Sequence, residues 1–481
     1  MAIGESSTPL SNLLLEELAT RYGLPGIRPL TKWGTWQQSH PELACGLKRG
    51  FSFFRHEPGQ RGPIARASEL LVAASPHDAI ADTHWYRADF DQYLVEEAQR
   101  LGVEYMDEVD LREFFEIDHG VEISGTRNGR EMKIATRFVV DATGPRGFLH
   151  RALKLGERPL PEFPATQALY SYFQGVHRIS DLKQVTLDGE PPYPVDDAAV
   201  HHLLDGGWVW VLHFSNGITS AGVAATDAFA EALQLEEGEP AWKRLLERVP
   251  ALWDQFAGAK AAQPFRHIPR LGFRSAAMRG QNWALLPSAA GFVDPLLSTG
   301  FPLTLLGVSR LAEILERDWG LGTFSAQLES YAAQTDAELL VTSRLIGALY
   351  ANLGNFPVFV ALSLLYFAAA SYSEVVRRLG RPQLASSFLL RDHPQFGPQC
   401  ARVLDRARLI RNAGESEELI EEIFRVIAPI DVAGLSDRAR RNWYPVEAED
   451  LLGAAHKVGA TRDEIALMLE RCGIRPATLQ A

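Results

Sequence analysis

The sequence predicts a mixed α/β protein with a doubly wound domain, a separate β-sheet domain and a helical C-terminal region. Three observations support this fold class. The apolar run FVVDATG, residues 138–144, is typical of a buried parallel strand whose carboxyl end opens onto a ligand crevice. Residues 165–225 are rich in strand-forming segments, and after Leu303 the chain is predominantly helical in pattern.

Length and composition place the chain among folded proteins with two or three domains. The chain has 481 residues, about three times the length of a typical domain of about 150 residues. The net charge of −12 and the absence of a Lys/Arg-rich block argue against a nucleic-acid partner. Cys45, Cys400 and Cys472 are too few and scattered for a disulfide framework, and MAIGESSTPLSN lacks the features of a signal peptide. We therefore expect a cytoplasmic protein.

In chain order, the first elements are helices and the next are strands. Thr8 and Pro9 predict a helix start and Gly23 its end, and a second helix is expected over residues 88–101. Asn128-Gly129 predicts a hairpin turn between two strands. The uncharged stretch 345–373 is interrupted by polar residues and a proline, which favours a buried helix or helical hairpin over contact with a membrane surface or a membrane span.

The segment 283–315 carries the strongest chemical signal. It runs from an apolar strand through small residues into a helix that begins near Gly300. Free backbone amides and the positive end of the helix dipole at such a start favour an anion in the loop. A tight turn before a core helix is the structural alternative.

Three motifs together resemble the flavin-dependent halogenase family, a branch of the FAD monooxygenases and reductases related to geranylgeranyl reductase. They are GES at residues 4–6, DATG at 141–144 and AAGFVDPLLSTGFPLTLLG within 283–315, and the resemblance covers about residues 1–330. It implies FAD as the cofactor. The residues that it places at the cofactor are Gly4, Glu5, Ser6, Arg87, Asp141, Gly144, Asp294, Pro295 and Gly300.

The resemblance also implies a division of the chain and a role for a lysine. Residues 1–50, 80–160 and 265–330 would form the FAD-binding domain, residues 51–79 and 161–264 the substrate-binding sheet, and residues 331–481 the helical region. Lys48, in LKRGFSFF, has the spacing of the family's catalytic lysine, which captures or polarises hypohalous acid. Ser298, Thr299 and Gly300 would hold the halide.

Two departures from the family pattern keep other activities open. The signature Trp-x-Trp-x-Ile-Pro survives only as Trp208 and Trp210, which we place at the substrate pocket, and the missing Ile-Pro leaves hydroxylation open. Leu297 stands where tryptophan-type members carry a catalytic Glu, which argues against free tryptophan as substrate. The resemblance also implies a G-x-G-x-x-G turn before GES, so we expect the doubly wound domain to be N-terminally incomplete in this sequence and the missing segment to be encoded upstream.

The preferred function is an FADH2- and dioxygen-dependent halogenase acting on an aromatic or other electron-rich small molecule, supplied with reduced flavin by a separate reductase. A flavin monooxygenase or ene-reductase and a truncated inactive flavoprotein are the alternatives. Adjacent His201 and His202 point to opposite faces of a strand, so no metal site is expected there. Residues 77–84 fit either a substrate pocket or a solvated loop, and we expect the loop.

Overall fold

The computed structural model describes residues 4–57, 65–182 and 189–474. Its α-helices are α1 Pro9–Arg21, α2 Trp33–Ser39, α3 Arg87–Arg100, α4 Phe148–Ala152, α5 Asp227–Leu233, α6 Glu239–Arg248, α7 Pro250–Gln255, α8 Pro287–Ala290, α9 Gly300–Arg317, α10 Phe324–Ala351, α11 Phe356–Arg378, α12 Phe396–Ala407, α13 Ala413–Ile427, α14 Ala448–Gly453 and α15 Arg462–Cys472. Its strands are β1 Cys45–Lys48, β2 Gly50–Arg55, β3 Glu69–Ala73, β4 Asp82–Trp85, β5 Val109–Ile117, β6 Gly120–Arg127, β7 Arg130–Thr136, β8 Val139–Asp141, β9 Thr166–Gln174, β10 Ala199–Leu204, β11 Gly207–His213, β12 Ile218–Thr226, β13 Lys260–Ala261, β14 Arg266–Ile268, β15 Phe273–Arg274, β16 Trp283–Leu285, β17 Gly291–Phe292 and β18 Trp443–Tyr444. The predicted fold class is confirmed.

A nine-stranded sheet forms the centre of the structure, with the order β13, β9, β12, β11, β10, β2, β3, β18 and with β14 also paired to β9. Both of its faces are buried. Along β11, Val209 and Val211 enter one core together with residues of α5 to α7, while Trp208 and Trp210 enter the other together with residues of α10 and α11. The alternation of these side chains follows from the two-residue period of a strand.

The predicted hairpin and first two helices are confirmed. Asn128 and Gly129 both have positive φ, 51° and 75°, and join β6 to β7. Pro9 opens α1, and the side chain of Thr8 accepts a hydrogen bond from the amide of Ser11. The helix α3 begins and ends one residue earlier than expected, within the usual scatter of helix boundaries.

The strand β8 is parallel, as FVVDATG predicts, but it is not buried along its length. It pairs in parallel with β16, and in the described part of the chain these two strands form a sheet of their own. Val140 is 41% exposed, whereas Asp141 at the carboxyl end is buried. The expectation of a buried strand is therefore wrong for Val140, because this sheet is narrower than the apolar run suggested.

The uncharged stretch 345–373 forms the end of α10 and most of α11, joined by a break at residues 352–355. By length and composition α11 could cross a membrane, but 83% of its most apolar window is buried inside the protein. Its Phe359 and Phe367 pack against Phe53 and Phe51 of β2, with ring centroids 5.7 and 5.0 Å apart. The favoured prediction of a buried helical hairpin is confirmed.

Candidate active site between two cavities

A cavity of about 670 Å³ lies where the N-terminal segment, the end of β8, the strand β11 and the start of α9 meet. Its volume is in the range of small-molecule and cofactor sites. Most of the residues that the sequence proposed for cofactor, halide or substrate line this one cavity: Gly4, Glu5, Ser6, Arg87, Gly144, Trp208, Trp210, Asp294, Pro295, Ser298, Thr299 and Gly300. The fold thus brings together segments that are far apart in the chain.

The N-terminal segment enters the cavity as extended chain held by two side chains. Arg87, at the start of α3, donates a hydrogen bond to the carbonyl oxygen of Gly4 over 3.0 Å. The carboxyl group of Glu5 is buried and accepts a 2.6 Å bond from the hydroxyl of Tyr172; burial raises the pKa of Glu5 to about 7. The buried hydroxyl of Ser6 has no hydrogen-bond partner among the described residues, so it is free to bind a ligand.

Asp141 lies behind the cavity and shapes the turn after β8. Its carboxylate accepts hydrogen bonds from the amide and hydroxyl of Thr143, at 2.7 and 2.6 Å, and from the amide of Leu149, at 2.7 Å. These bonds fix the turn so that Gly144, with φ of +83°, faces open space in the cavity. Asp141 therefore positions backbone that lines the cavity rather than lining it itself.

The loop before α9 is strained and is held by a chain of hydrogen bonds. Leu297 and Ser298 have φ of 63° and 54°, in the left-handed region that costs a non-glycine residue about 1 kcal/mol or more. Asp294 accepts a 2.9 Å bond from the amide of Leu296 and a 2.8 Å bond from the hydroxyl of Tyr350. That hydroxyl in turn accepts a 3.1 Å bond from the indole of Trp208. The loop is therefore fixed to both β11 and α10.

Lys48 ends β1 and is fully buried. Its ammonium group donates a hydrogen bond to the carbonyl oxygen of Ser7 and lies 3.8 Å from the centre of the Phe51 ring. Across the β1–β4 pair its register partner is Asp82. Burial lowers the pKa of Lys48, and the charge of Asp82 opposes this shift; burial also raises the pKa of Asp82.

A second cavity, of about 150 Å³, lies near Lys48 and is lined by two of its neighbours. Both Phe51 and Asp82, the neighbours of Lys48, line it, whereas Ser6, next to Ser7, lines the larger cavity. Burial and then the Lys48 charge lower the pKa of His201, another residue of the larger cavity, to about 3. Lys48 itself lines neither cavity, but it contacts residues or segments that line each of them.

The sequence favours a loop over a pocket at Asp82 and His84, and it does not single out Tyr350, which binds Asp294. Residues 77–84 were expected to form a solvated loop, and this is wrong for Asp82 and His84, which are buried on β4 at 6% and 1% exposure. The run ADTHW does not alternate polar and apolar residues, so no local pattern indicates that strand. No sequence pattern near Tyr350 indicates its role, because Tyr350 lies on α10 and its partner Asp294 is 56 residues earlier in the chain. Among the described residues, no group of three His, Cys, Asp or Glu side chains could hold a metal ion.

The larger cavity fits a flat cofactor such as a flavin. A Cβ atom added at Gly4, Gly144 or Gly300 would meet no protein atom within 4 Å, so a ligand can approach the backbone closely there. The unpartnered hydroxyl of Ser6 adds a hydrogen-bonding group. The first residues of α9, an 18-residue helix, add the positive end of a helix dipole.

The fold and this site define a protein of the flavin-dependent halogenase class. The sequence profile described as Tryptophan halogenase matches residues 82–353, more than half of the chain, so the chain belongs to this family of flavin-dependent halogenases. The resemblance drawn from the motifs is confirmed.

Individual relatives show how far the similarity extends. Monodechloroaminopyrrolnitrin halogenase PrnC of Pseudomonas fluorescens is 28% identical over 347 residues, which cover 70% of this chain and 59% of the relative. Tetracycline 7-halogenase of Kitasatospora aureofaciens is 26% identical over 383 residues, covering 77% and 66%. The chain thus aligns with less than two thirds of either relative. The crystal structure of halogenase PltM with phloroglucinol and FAD has a TM-score of 0.79 at 22% identity and 92% coverage of both chains, which shows a shared fold.

Proposed function

We propose that the protein is an FAD-dependent halogenase that transfers an oxidised halogen to an aromatic or other electron-rich small molecule. Membership of the halogenase family and the fit of the larger cavity to a flavin support this assignment. FAD, when bound and reduced by a separate flavin reductase, would supply two electrons to dioxygen, so that one oxygen atom leaves as water and the other oxidises halide to hypohalous acid. We also propose that the protein acts in the cytoplasm.

One observation carries the proposal: the buried Lys48 contacts Phe51, which lines the smaller cavity, and Ser7, which follows the segment 4–6 that lines the cofactor-sized cavity. An ammonium group at this point can hold hypohalous acid by hydrogen bonding and direct it toward the smaller cavity. Because Lys48 is fully buried, bulk water is kept from the reactive halogen. The smaller cavity is then the place of the organic substrate.

The residues of the larger cavity are proposed to hold the cofactor and the halide. Arg87 fixes Gly4 beside Glu5 and Ser6, and Asp141 holds the turn of Gly144, so these segments would contact FAD. Asp294 and Pro295 would set the loop, and Ser298, Thr299 and Gly300 at the start of α9 would bind halide through the end of the helix. Trp208 and Trp210 line this cavity and not the smaller one, so they would border the cofactor and not the substrate.

The proposed division of the chain follows the same logic. Residues 1–50, 80–160 and 265–330 would bind FAD, and residues 51–79 and 161–264 would supply the sheet behind the substrate. Residues 331–481 contribute Tyr366 and Phe367 to the smaller cavity, so the helical region would also contact substrate.

Replacement of Lys48 tests the proposal. With reduced flavin, dioxygen and bromide or chloride, the unmutated protein should give products whose mass and isotope pattern show halogen. Lys48→Met keeps the length of the side chain but removes the ammonium group, and it should lower halogenation at least about 100-fold, the usual scale for a lost proton donor. Flavin reoxidation, which precedes this step, should change less than about threefold.

Lys243→Met, at a lysine exposed on α6, is the matched control and should behave like the unmutated protein. Halogenation by Lys48→Met at the normal rate would remove Lys48 from the mechanism. Under saturating halide, the unmutated protein could instead form a product that has gained oxygen or two hydrogens. That result would contradict the halogenase assignment and indicate a monooxygenase or a reductase, respectively.

A further inference from the structure

Glu5 places a buried carboxyl group in the wall of the larger cavity, where the flavin is proposed to bind. The residue is 5% exposed and lines this cavity. Its backbone carbonyl accepts a 2.6 Å hydrogen bond from the amide of Trp85 at the end of β4, which fixes the residue in place. A buried carboxyl group beside a cofactor is a group whose charge the cofactor can change.

The charge of an ionised Glu5 is only partly compensated by its surroundings. The titratable and charged groups that face it are Arg87 and Tyr86 at the start of α3 and Tyr170 and Tyr172 of β9. Arg87 is the cation in this set, but its guanidinium donates one hydrogen bond to the carboxylate of Asp91, over 2.6 Å, and one to the carbonyl oxygen of Gly4. Arg87 therefore acts on Glu5 through its charge and does not form a direct pair with it.

The hydrogen-bond partners of Glu5 suit both of its protonation states. Its Oε1 accepts a 2.6 Å bond from the hydroxyl of Tyr172. The hydroxyl of Ser220 also faces the carboxyl group, and it accepts a 3.3 Å bond from the indole of Trp210. A hydroxyl can donate to a carboxylate or accept from a carboxylic acid. A proton can therefore be added to Glu5 while both hydroxyl partners are retained.

Asp294 is the other buried carboxyl group that lines the larger cavity. It differs from Glu5 because it accepts a 2.9 Å hydrogen bond from the backbone amide of Leu296. A backbone amide can only donate, so it favours the ionised carboxylate. Of the two acids, Glu5 is the one whose partners are hydroxyl groups, and it is the better proton acceptor.

We propose that Glu5 binds one proton from solvent when the flavin in the larger cavity is reduced to its anion. A carboxylate and an anionic ring in one buried cavity repel each other strongly, and protonation of Glu5 removes this repulsion. The balance is two electrons and one proton for the flavin, and one further proton that forms an O–H bond at Glu5. The inference rests on the proposed placing of FAD in this cavity, but it needs neither halide nor an organic substrate.

The midpoint potential of the bound flavin tests the inference without turnover. The full chain is saturated with FAD and titrated against redox dyes in the absence of oxygen, between about pH 6.5 and 9.5, and the slope with pH gives the protons taken up per two electrons. Glu5→Gln keeps the size of the side chain and its hydrogen bonds but cannot ionise. Over an interval of about one pH unit or more, the unmutated protein should take up one proton more per flavin than Glu5→Gln.

Tyr172→Phe should change the position of this interval and not the number of protons. The hydroxyl of Tyr172 favours the ionised form of Glu5, so its loss should move the interval to higher pH. Glu17→Gln is the matched control, because its carboxyl group lies on α1 and lines neither cavity, and it should keep both the extra proton and the position of the interval.

Two results would overturn the inference. One is uptake of a single proton at every pH by the unmutated protein, which needs no variant and holds even if Glu5→Gln fails to fold. The other is loss of the extra proton in Asp294→Asn but not in Glu5→Gln. Halogenation without the extra proton would leave the proposed function intact, whereas the extra proton without any halogenated product would contradict the halogenase assignment and retain the role of Glu5.

Discussion

Gly300, the first residue of α9, lines the larger cavity. It has an ordinary helical conformation, so its lack of a side chain is not needed for the backbone. A Cβ atom added there would meet no protein atom within 4 Å. The space beside Gly300 is therefore available to a ligand. A substitution at Gly300 should affect binding of that ligand and not the stability of the fold.

We predict that Gly300→Ala weakens FAD binding without weakening the fold. The methyl group would occupy space in the cavity and should raise the Kd for FAD about tenfold, measured by titration of flavin fluorescence. The free energy of unfolding should stay within about 0.5 kcal/mol, because alanine favours a helix and nothing is displaced. Gly453→Ala, in α14, is the control: its added Cβ also meets no protein atom within 4 Å, but Gly453 lines neither cavity. Unchanged FAD affinity in Gly300→Ala would show that the flavin does not approach this turn.

At the scale of elements, the strained loop before α9 is held by α10 and β11 through one hydroxyl group. Tyr350 donates to Asp294 and accepts from Trp208, and all three side chains are buried. Leu297 and Ser298 have left-handed φ angles. A non-glycine residue keeps such a strained conformation only where contacts with the surrounding structure hold it in place. The hydroxyl of Tyr350 therefore helps to maintain the loop that is proposed to bind halide.

Tyr350→Phe should cost about 1–3 kcal/mol of stability, because Oδ2 of Asp294 and the indole N–H of Trp208 both lose the buried hydroxyl that they bind. It should also weaken FAD binding by relaxing the loop. Tyr331→Phe provides the comparison: its hydroxyl, on the same helix, donates a 2.8 Å bond to the carbonyl oxygen of Leu285. Urea denaturation should show a loss of stability in both variants, while flavin titration should show weaker binding only in Tyr350→Phe. Equal flavin affinity in the two variants would refute the proposed role of the loop contact.

Elements with a local signal were predictable, and contacts between distant elements were not. Asn128-Gly129 fixed a hairpin and Thr8-Pro9 a helix start, because turn and cap chemistry is contained in a few adjacent residues. The motifs around Gly144 and Gly300 indicated cavity-lining backbone for the same reason. Asp82 was assigned to a loop because its partner Asn12 is 70 residues away, and the pairing of β4 with β1 leaves no mark in either strand alone.

At the scale of the whole molecule, the C-terminal helices complete the core of the central sheet. The helix α11 is apolar enough to cross a membrane, but it packs on β2 and lines one side of the smaller cavity. Ion pairs join these helices to elements outside the central sheet: Arg377 of α11 lies 3.2 Å from Glu17 of α1, and Arg274 of β15 binds Asp336 of α10 through two hydrogen bonds of 2.7 and 2.6 Å. Sheet and helices therefore share one hydrophobic core.

This shared core predicts that the sheet and the C-terminal helices unfold together. Phe359 is fully buried on α11 with its ring against Phe53 of β2, so Phe359→Ala should remove about 3–5 kcal/mol of stability. In urea, tryptophan fluorescence, which reports largely on sites such as Trp208 and Trp210 in the sheet, and far-ultraviolet circular dichroism, dominated by the helices, should shift to the same lower midpoint. Leu467→Ala, at a side chain 49% exposed on α15, should shift either midpoint little. If the helical signal were lost first and the fluorescence transition kept its original midpoint, the sheet would be stable without α11, and the smaller cavity would be the contact surface between two independent units.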